Sequence, residues 1–201
     1  MKLWYAPTSP FARKVRIALR ELGLEGTVEE IAIDPWTDPG LRARNPLAKV
    51  PTFETDDGEI LFESSLICEF LNARAGGGLF PAQPGARWPA LRLLAIADGV
   101  AGATGRLFAD TRRPETERSA AVMVRQDAAI EAGLDALEAR AGELSAGLST
   151  IGAIAAASAA DYVGFRFPDR DWRSARPALA EWCAAVGSRP SMAATRFRLP
   201  G

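Results

Sequence analysis

The spacing of apolar residues changes several times within the first 75 positions, which predicts short strands alternating with helices. Four extended runs predict strands, at residues 2–5, 28–33, 52–55 and 60–62. Asp57-Gly58, between the last two runs, is typical of a β-hairpin turn. A short helical stretch is predicted at Leu41–Arg44. The order of elements is therefore βαβα followed by ββα.

Two longer helices are predicted in the same region. The first begins at Ser9-Pro10, with Ser at the N-cap and Pro at the first helical position, and we expect Gly23 to end it. Its expected buried face consists of residues three or four apart, namely Phe11, Val15, Ala18 and Leu22. The second opens at Glu63-Ser64-Ser65, and its expected buried residues are Leu66, Ile67, Phe70 and Leu71.

Glycine and proline interrupt this pattern after residue 75. Gly76-Gly77-Gly78, followed by Pro81 and Pro84, is typical of a linker. Beyond it the chain is rich in Ala and Leu and predicts helices alone, at residues 88–108, 115–141, 151–165 and 175–186. We therefore expect an α/β domain over residues 1–75, a linker over 76–86 and an all-helical domain over 87–201.

The composition fits a folded protein and excludes several classes of function. Of the 201 residues, 48% are hydrophobic and 24% are charged, and a net charge of −1 argues against nucleic-acid binding. No apolar run approaches the roughly 20 residues of a membrane-spanning helix, so we expect no membrane partner. The chain has no histidine, which excludes Ser-His-Asp and Cys-His catalysis. We also expect no metal site.

Two cysteines, Cys68 and Cys183, lie far apart and form no C-x-x-C pair. The first residues lack the long apolar segment of a secretion signal, so we expect a cytoplasmic protein with reduced thiols. Cys183, next to Trp182 on a predicted helix, is expected to be packed rather than reactive.

Three segments carry the most specific signal: Ser9-Pro-Phe-Ala-Arg-Lys-Val-Arg-Ile-Ala-Leu19, Asn45-Pro-Leu-Ala-Lys-Val-Pro51 and Glu63-Ser64-Ser65. The order of elements, with a proline just before the third strand, is that of a thioredoxin-like domain. The three segments resemble the glutathione-contacting segments of bacterial glutathione transferases, and residues 176–195 are similar to the last helices of that family. The resemblance implies the glutathione transferase fold, an α/β thioredoxin-like domain followed by an all-α helical domain that forms the pocket for an electrophile.

The same resemblance implies roles for particular residues. A cis Val50-Pro51 bond would turn the Val50 N–H and C=O outward to pair with the cysteinyl part of glutathione, whereas the alternative is a proline that merely ends a loop. Glu63 and Ser64 would hold the ammonium and the carboxylate of the γ-glutamyl group at a helix N-terminus. Further implied contacts with glutathione come from Phe11, Lys49 and, in a homodimer, the partner subunit's Asp98.

Ser9 is the candidate catalytic residue. A helix N-terminus favours an anion, and a hydroxyl that donates to the glutathione sulfur would stabilise the thiolate nucleophile and lower its pKa. Thr8 is a competing donor and Tyr5 a weaker one. The alternative for Ser9, and equally for Ser64 or Ser65, is that the hydroxyl only caps a helix.

Two positions depart from the family pattern. Ala153 stands where the family places an Asp three residues after a capping Thr, here Thr150, and this removes one capping contact worth about 0.5–2 kcal/mol. Ser9 stands where some relatives have a cysteine, so a mechanism through a mixed disulfide is not expected.

These features favour an enzyme that uses glutathione as co-substrate and transfers it to a small electrophile. Two alternatives stay open: a glutathione-binding protein with little turnover, and a non-enzymatic protein-interaction member of the same fold, like the stringent starvation proteins. Three arginines near the end of the first C-terminal helix either line the electrophile pocket or form a solvated helix end; they are Arg106, Arg112 and Arg113.

Overall fold

A computed structural model of the chain describes residues 1–144 and 147–199, which form two compact units. The first unit comprises Met1–Pro81 and the chain from Arg189 onward, and the second comprises Ala82–Ser188. The division between Pro81 and Ala82 falls within the segment expected to be a linker. The residues after Ser188 join the first unit, whereas the sequence pattern places them with the helical domain.

A four-stranded mixed sheet forms the centre of the first unit. Its strands are β1 (Lys2–Tyr5), β2 (Glu29–Ala32), β3 (Thr52–Glu54) and β4 (Ile60–Phe62), in the spatial order β2-β1-β3-β4. β1 and β2 are parallel, and the other two pairs are antiparallel. Gly58, in the turn between β3 and β4, has a φ of 85°, a conformation that glycine adopts without steric cost. The four predicted strands and the hairpin are confirmed.

The helix that crosses from β1 to β2 is α1 (Pro10–Glu21), and both of its predicted ends are confirmed. Ser9 is its N-cap, and Ser9 Oγ accepts a hydrogen bond from the Ala12 N–H at 3.2 Å. At the other end Gly23 has a φ of 68°, and the Leu24 N–H donates to the C=O of residue 19 at 2.8 Å. This bond is the mark of a Schellman cap.

α1 is buried on more than one face. Val15 and Ala18 of the predicted stripe are fully buried. The basic residues that lie off the stripe are buried too, and they are Arg13, Lys14 and Arg16. Arg16 forms an ion pair with Glu30 of β2, and its guanidinium lies 4.2 Å from the ring centroid of Tyr5. A charge at such a position is tolerated because it is paired.

The short helix predicted at Leu41–Arg44 is confirmed and is α2. The helix that follows β4 is α3 (Ser64–Arg74), which packs against α1 and β4. Ile67 and Leu71 are fully buried as predicted, but the prediction that Leu66 is buried is wrong, since it is 51% exposed. Successive residues of a helix point about 100° apart, so Cys68 rather than Leu66 completes the stripe formed by Ile67 and Leu71. Cys68 is fully buried.

A short helix near the end of the chain, α8 (Pro190–Ala194), packs against α1. Arg189 donates to both oxygens of the Glu21 carboxylate, at 3.0 and 2.6 Å, and Ser191 donates a third hydrogen bond. Burial raises the pKa of Glu21, but the hydrogen bonds from Arg189 and Ser191 outweigh it and hold this pKa below its usual value. The ion pair therefore fastens α8 to the end of α1.

The last described residues also contact the start of α1. The Arg13 guanidinium lies 4.5 Å from the ring centroid of Phe197, a cation–π contact. The Arg198 N–H donates to the Pro7 C=O at 3.3 Å. The end of the described chain thus lies beside the turn between β1 and α1.

The second unit is formed by four long helices, which are α4 (Pro84–Thr111), α5 (Ala120–Glu138), α6 (Ile151–Arg166) and α7 (Pro177–Gly187). α4 packs against α5 and α6, and α7 packs against the same two helices. The predicted helix at 115–141 is wrong at both ends, where short 3₁₀ turns flank α5. The Ser119 side chain caps α5 by accepting from the Val122 N–H at 3.4 Å, so the helix begins after Ser119.

α4 and α6 approach each other closely at Gly152. A Cβ at this position would lie 2.5 Å from the Ala90 carbonyl oxygen and 2.8 Å from the Leu93 Cβ, so only glycine fits here. Thr150 caps α6, with its Oγ1 accepting from the Ala153 N–H at 3.2 Å. Half of the capping box is therefore retained although Ala153 replaces the acidic residue.

Candidate functional site

A cleft of about 170 Å³ lies in the first unit, at the junction of β4 with α3 and beside the loop that precedes β3. Six residues expected to contact glutathione line it together, and they are Phe11, Lys49, Val50, Pro51, Glu63 and Ser64. The other three lining residues were not among the predicted contacts, and they are Asn45, Leu47 and Phe62. The cleft therefore brings together residues of all three motifs, which are more than ten positions apart in the sequence.

Asn45 determines the shape of the loop on one side of the cleft. Its buried side-chain amide donates to the Lys49 C=O and to Thr52 Oγ1, both at 3.0 Å, and accepts from the Leu47 N–H at 2.9 Å. Ala48, within this loop, has a φ of 49°, a left-handed conformation that costs a residue with a Cβ about 1–3 kcal/mol. The hydrogen bonds of Asn45 hold the loop in that conformation.

Val50 presents an unpaired main chain to the cleft. The Val50-Pro51 peptide bond is cis, in agreement with the expectation from the resemblance. Over residues 1–144 and 147–199, no hydrogen bond involves the N–H or the C=O of Val50. One donor and one acceptor are thus available to an extended peptide-like ligand, in the manner of a strand added to a sheet edge.

The N-terminus of α3 forms the opposite side of the cleft. Glu63 occupies the N-cap position with a φ of 72°, and no side chain caps the helix. The alternative that Ser64 or Ser65 serves as the N-cap is therefore wrong, since Ser64 is already the first helical residue. Ser64 is buried, and the first N–H groups of the helix carry a partial positive charge that favours a carboxylate.

Lys14 brings a full positive charge to this helix end. Its side chain is buried in α1, and its Nζ donates to Ser65 Oγ at 3.1 Å. The same Nζ lies 5.9 Å from the ring centroid of Phe11, which lines the cleft. This contact was not predicted, because Lys14 is one of several basic residues of α1 and its partner Ser65 lies 51 positions away.

Ser9 does not belong to the residues that line the cleft. It is half-buried and caps α1, as the simpler interpretation of this residue expects. Because Ser9 Oγ is the acceptor of that bond, its O–H can still donate to a ligand atom. The competing Tyr5 is buried against the Arg16 guanidinium, 4.2 Å away.

The other candidates lie in the second unit. Asp98 is half-buried on α4. Burial raises the pKa of the Cys183 thiol to about 12, and the negative charge of Asp161 adds to this effect, so this thiol is unreactive near neutral pH. The three arginines near the end of α4 are exposed, which agrees with a solvated helix end; they are Arg106, Arg112 and Arg113.

The described residues contain neither a metal-binding cluster nor a membrane span. Within 1–144 and 147–199, no group of three His, Cys, Asp or Glu side chains could hold a metal ion. In the same ranges no helix is long and apolar enough to cross a bilayer.

The four-stranded mixed sheet with its helices, followed by the helical second unit, is the glutathione transferase fold, and comparison with known proteins agrees. The family model for the glutathione S-transferase N-terminal domain matches residues 8–74, and that for the C-terminal domain matches residues 95–185. The chain belongs to the glutathione S-transferase family.

Three similar proteins match over almost their full length. The uncharacterized GST-like protein YibF of Escherichia coli (strain K12) is 34% identical over 199 residues, which are 97% of this chain and 98% of that protein. A glutathione transferase family member from Pseudomonas fluorescens Pf-5, solved with bound glutathione, is 35% identical with a TM-score of 0.93, covering 98% of this chain and 99% of that one. A glutathione S-transferase from Methylobacterium radiotolerans JCM 2831, in complex with glutathione sulfonate, is 33% identical with a TM-score of 0.90. This match covers 100% of this chain and 96% of that one.

Proposed function

We propose that the protein is a glutathione transferase that activates the thiol of glutathione for attack on a small electrophile. The observation that carries the proposal is the cleft itself, where the unpaired main chain of Val50 faces the uncapped N-terminus of α3. Two similar proteins were solved with glutathione or glutathione sulfonate bound. A tripeptide with a carboxylate at one end and a peptide backbone in the middle matches these two features.

Glutathione is proposed to lie extended across the cleft. Its γ-glutamyl carboxylate accepts from Ser64 and the first N–H groups of α3, and its ammonium donates to Glu63. The positive charge of Lys14, bonded to Ser65, strengthens the preference of this end for a carboxylate. The cysteinyl N–H and C=O pair with Val50, and the glycine carboxylate is directed towards Lys49.

Ser9 supplies the proposed chemistry. The Ser9 hydroxyl donates to the sulfur once the thiol has lost its proton, and the N-terminus of α1 adds a favourable potential. The thiolate then attacks the electrophilic carbon, a carbon–sulfur bond forms, and the leaving group departs with the electron pair of its bond. Ser9 remains a hydrogen-bond donor throughout and forms no covalent intermediate.

Retention on immobilised glutathione, followed by an activity screen, tests the proposal. The screen uses nitroaryl halides, peroxides, isothiocyanates and maleylacetoacetate-like substrates, which separate conjugation, reduction and isomerisation. Retention without turnover would favour a binding protein, and failure to bind glutathione would favour a protein-interaction role on the same fold.

Replacing Glu63 or Ser64 by Ala is expected to weaken glutathione binding by roughly 1.5–3 kcal/mol, because each change removes a hydrogen bond to a charged group. The pKa of the bound thiol should change little, since both residues hold the opposite end of the ligand. Isothermal calorimetry measures the affinity, and Glu59→Ala is the matched control for the loss of one exposed carboxylate outside the cleft. Unchanged affinity in both cleft variants would remove these residues from the site.

A homodimer is also proposed, with the partner subunit's Asp98 reaching the γ-glutamyl ammonium. Light scattering at micromolar concentration should give twice the mass of one chain, and Asp98→Ala should lower glutathione affinity without changing that mass. The competing interpretation is that Asp98 pairs only within its own subunit, in which case Asp98→Ala leaves the affinity unchanged. A mass equal to one chain would contradict the dimer.

A further inference from the structure

A second groove continues from the glutathione cleft on the side of Lys49. It has a volume of about 520 Å³ and is lined by Pro35, Trp36, Arg42, Leu47, Ala48, Lys49 and Val50. Three of these residues also line the cleft, namely Leu47, Lys49 and Val50. We call this surface the Trp36 groove. Beyond the shared residues, it is lined by Pro35, Trp36, Arg42 and Ala48.

Trp36 exposes its indole in an ordered loop. The side chain is 93% exposed, so both faces of the ring are available to a ligand. The loop is held by Asp34, whose carboxylate accepts from the Trp36 N–H at 3.0 Å and from the Thr37 hydroxyl at 3.2 Å. The backbone C=O of Asp34 also accepts a hydrogen bond from the Asp38 N–H at 2.9 Å. These hydrogen bonds therefore hold the backbone that carries the indole in a defined conformation.

The groove carries uncompensated positive charge. Arg42 and Lys49 are exposed, and neither forms an ion pair with an acidic residue of the described chain. Within residues 1–144 and 147–199, the Arg42 side chain donates a single hydrogen bond, to the Pro46 C=O at 3.3 Å. The neighbouring acids are engaged elsewhere, since Asp34 binds its own loop and Asp38 pairs with Arg44 at 3.6 Å. Two free cations beside an exposed indole favour an anionic ligand.

We propose that the Trp36 groove binds a carboxylate-bearing extension at the glycine end of glutathione, so that the site accepts anionic γ-glutamyl peptides longer than the tripeptide. This inference rests on the proposed function, because the γ-glutamyl group at Glu63 and Ser64 directs the glycine end to Lys49. Arg42 pairs with the added carboxylate, and the Trp36 ring packs against the added residue. Lys49, shared by both surfaces, lies where the tripeptide joins its extension.

Calorimetry with three probes tests the inference: glutathione, γ-Glu-Cys-Gly-Glu and γ-Glu-Cys-Gly-Lys. The Glu peptide should bind roughly three- to tenfold more tightly than the Lys peptide, as expected for exposed charge pairs of opposite and like sign. Raising the salt from about 0.02 to about 0.5 M should reduce this ratio, because exposed charges are screened. Arg42→Gln should bring the ratio close to one while leaving the affinity for glutathione unchanged.

Two variants complete the test. Arg196→Gln removes an exposed arginine that lines neither the cleft nor the Trp36 groove. It should leave the ratio of the two peptide affinities unchanged. Trp36→Ala should weaken both extended peptides alike and leave glutathione unaffected. If glutathione binds but the two extended peptides bind equally, the groove proposal is overturned and the proposed function stands. If glutathione itself does not bind, both the groove proposal and the proposed function fail.

Discussion

Replacing Ser9 by Ala is expected to raise the pKa of the enzyme-bound glutathione thiol by about one to two, because a hydrogen bond to a charged group is worth roughly 1.5–3 kcal/mol and one pKa unit is about 1.4 kcal/mol. The affinity for glutathione should change little, since Ser9 does not line the cleft that holds the peptide. The rate at neutral pH should fall by about tenfold and recover partly as the pH rises, because the thiolate is the nucleophile. Ultraviolet titration of bound glutathione measures the pKa directly.

The structure makes the competing outcome specific. Ser9 Oγ already accepts from the Ala12 N–H, so Ser9→Ala also removes a helix cap worth about 0.5–2 kcal/mol of stability. A lower melting temperature with an unchanged thiol titration would assign Ser9 to capping alone. Thr8→Ala is the matched variant, and a raised thiol pKa there would transfer the role to Thr8. Ser9→Cys should shift activity towards thiol–disulfide exchange, since a cysteine at a helix N-terminus acquires thiolate character.

Replacing Gly152 by Ala is expected to destabilise the second unit strongly. The added Cβ would lie 2.5 Å from the Ala90 carbonyl oxygen, and this backbone atom cannot move without shifting α4. Overpacking of a tight interface costs typically 1–3 kcal/mol, and the backbone contact places Gly152→Ala near the upper limit. At about 2–4 °C per kcal/mol for a protein of this size, the melting temperature should fall by roughly 6–12 °C.

Gly102 provides the matched control for this substitution. It lies within α4, is exposed, and nothing lies within 4 Å of the Cβ that Ala would add. Gly102→Ala should therefore stabilise the protein by about 0.5–1 kcal/mol, because it lowers the entropy lost on helix formation. Thermal melting followed by circular dichroism compares the two variants, and equal melting temperatures would contradict the close approach of α4 and α6.

Elements with local signals were predictable from the sequence. The start of α1 depends on the Ser9 hydroxyl and the fixed φ of Pro10, and its end depends on the left-handed φ of Gly23. The hairpin depends on Asp57-Gly58 in the same way. Each signal lies within a few residues of the structure that it specifies, so no knowledge of the packed protein is needed.

Features that depend on distant residues were not predictable. Arg16 can be buried because it pairs with Glu30 of β2. The spacing of residues along α1 gives no sign of this ion pair. Leu66 and Cys68 differ little in apolar character, and the packing of α3 against α1 decides which of them is covered. The sequence pattern assigns residues 189–199 to the helical domain, but the ion pair of Arg189 with Glu21 and the packing of α8 against α1 place them in the first unit.

The same distinction applies to the candidate site. The motifs around Val50 and Ser64 resemble family segments, and the structure brings them to one cleft. Asn45 begins one of these segments, but its structural role was not predictable because it consists of three hydrogen bonds within a folded loop. Lys14 was missed because its partner, Ser65, is 51 positions away.

The discontinuity of the first unit has a consequence for the order of events during synthesis. Its sheet and first helices leave the ribosome early, but α8 and the residues after it follow only after about a hundred residues of the second unit. At translation rates of about 5–20 residues per second, this interval is on the order of 5 to 20 s. Throughout it, Glu21 lacks the partner Arg189 and the turn at Pro7 lacks its contact with Arg198. The unit that begins the chain is thus the last to be completed. A nascent chain released before residue 189 contains all of its second unit, but its first unit lacks α8.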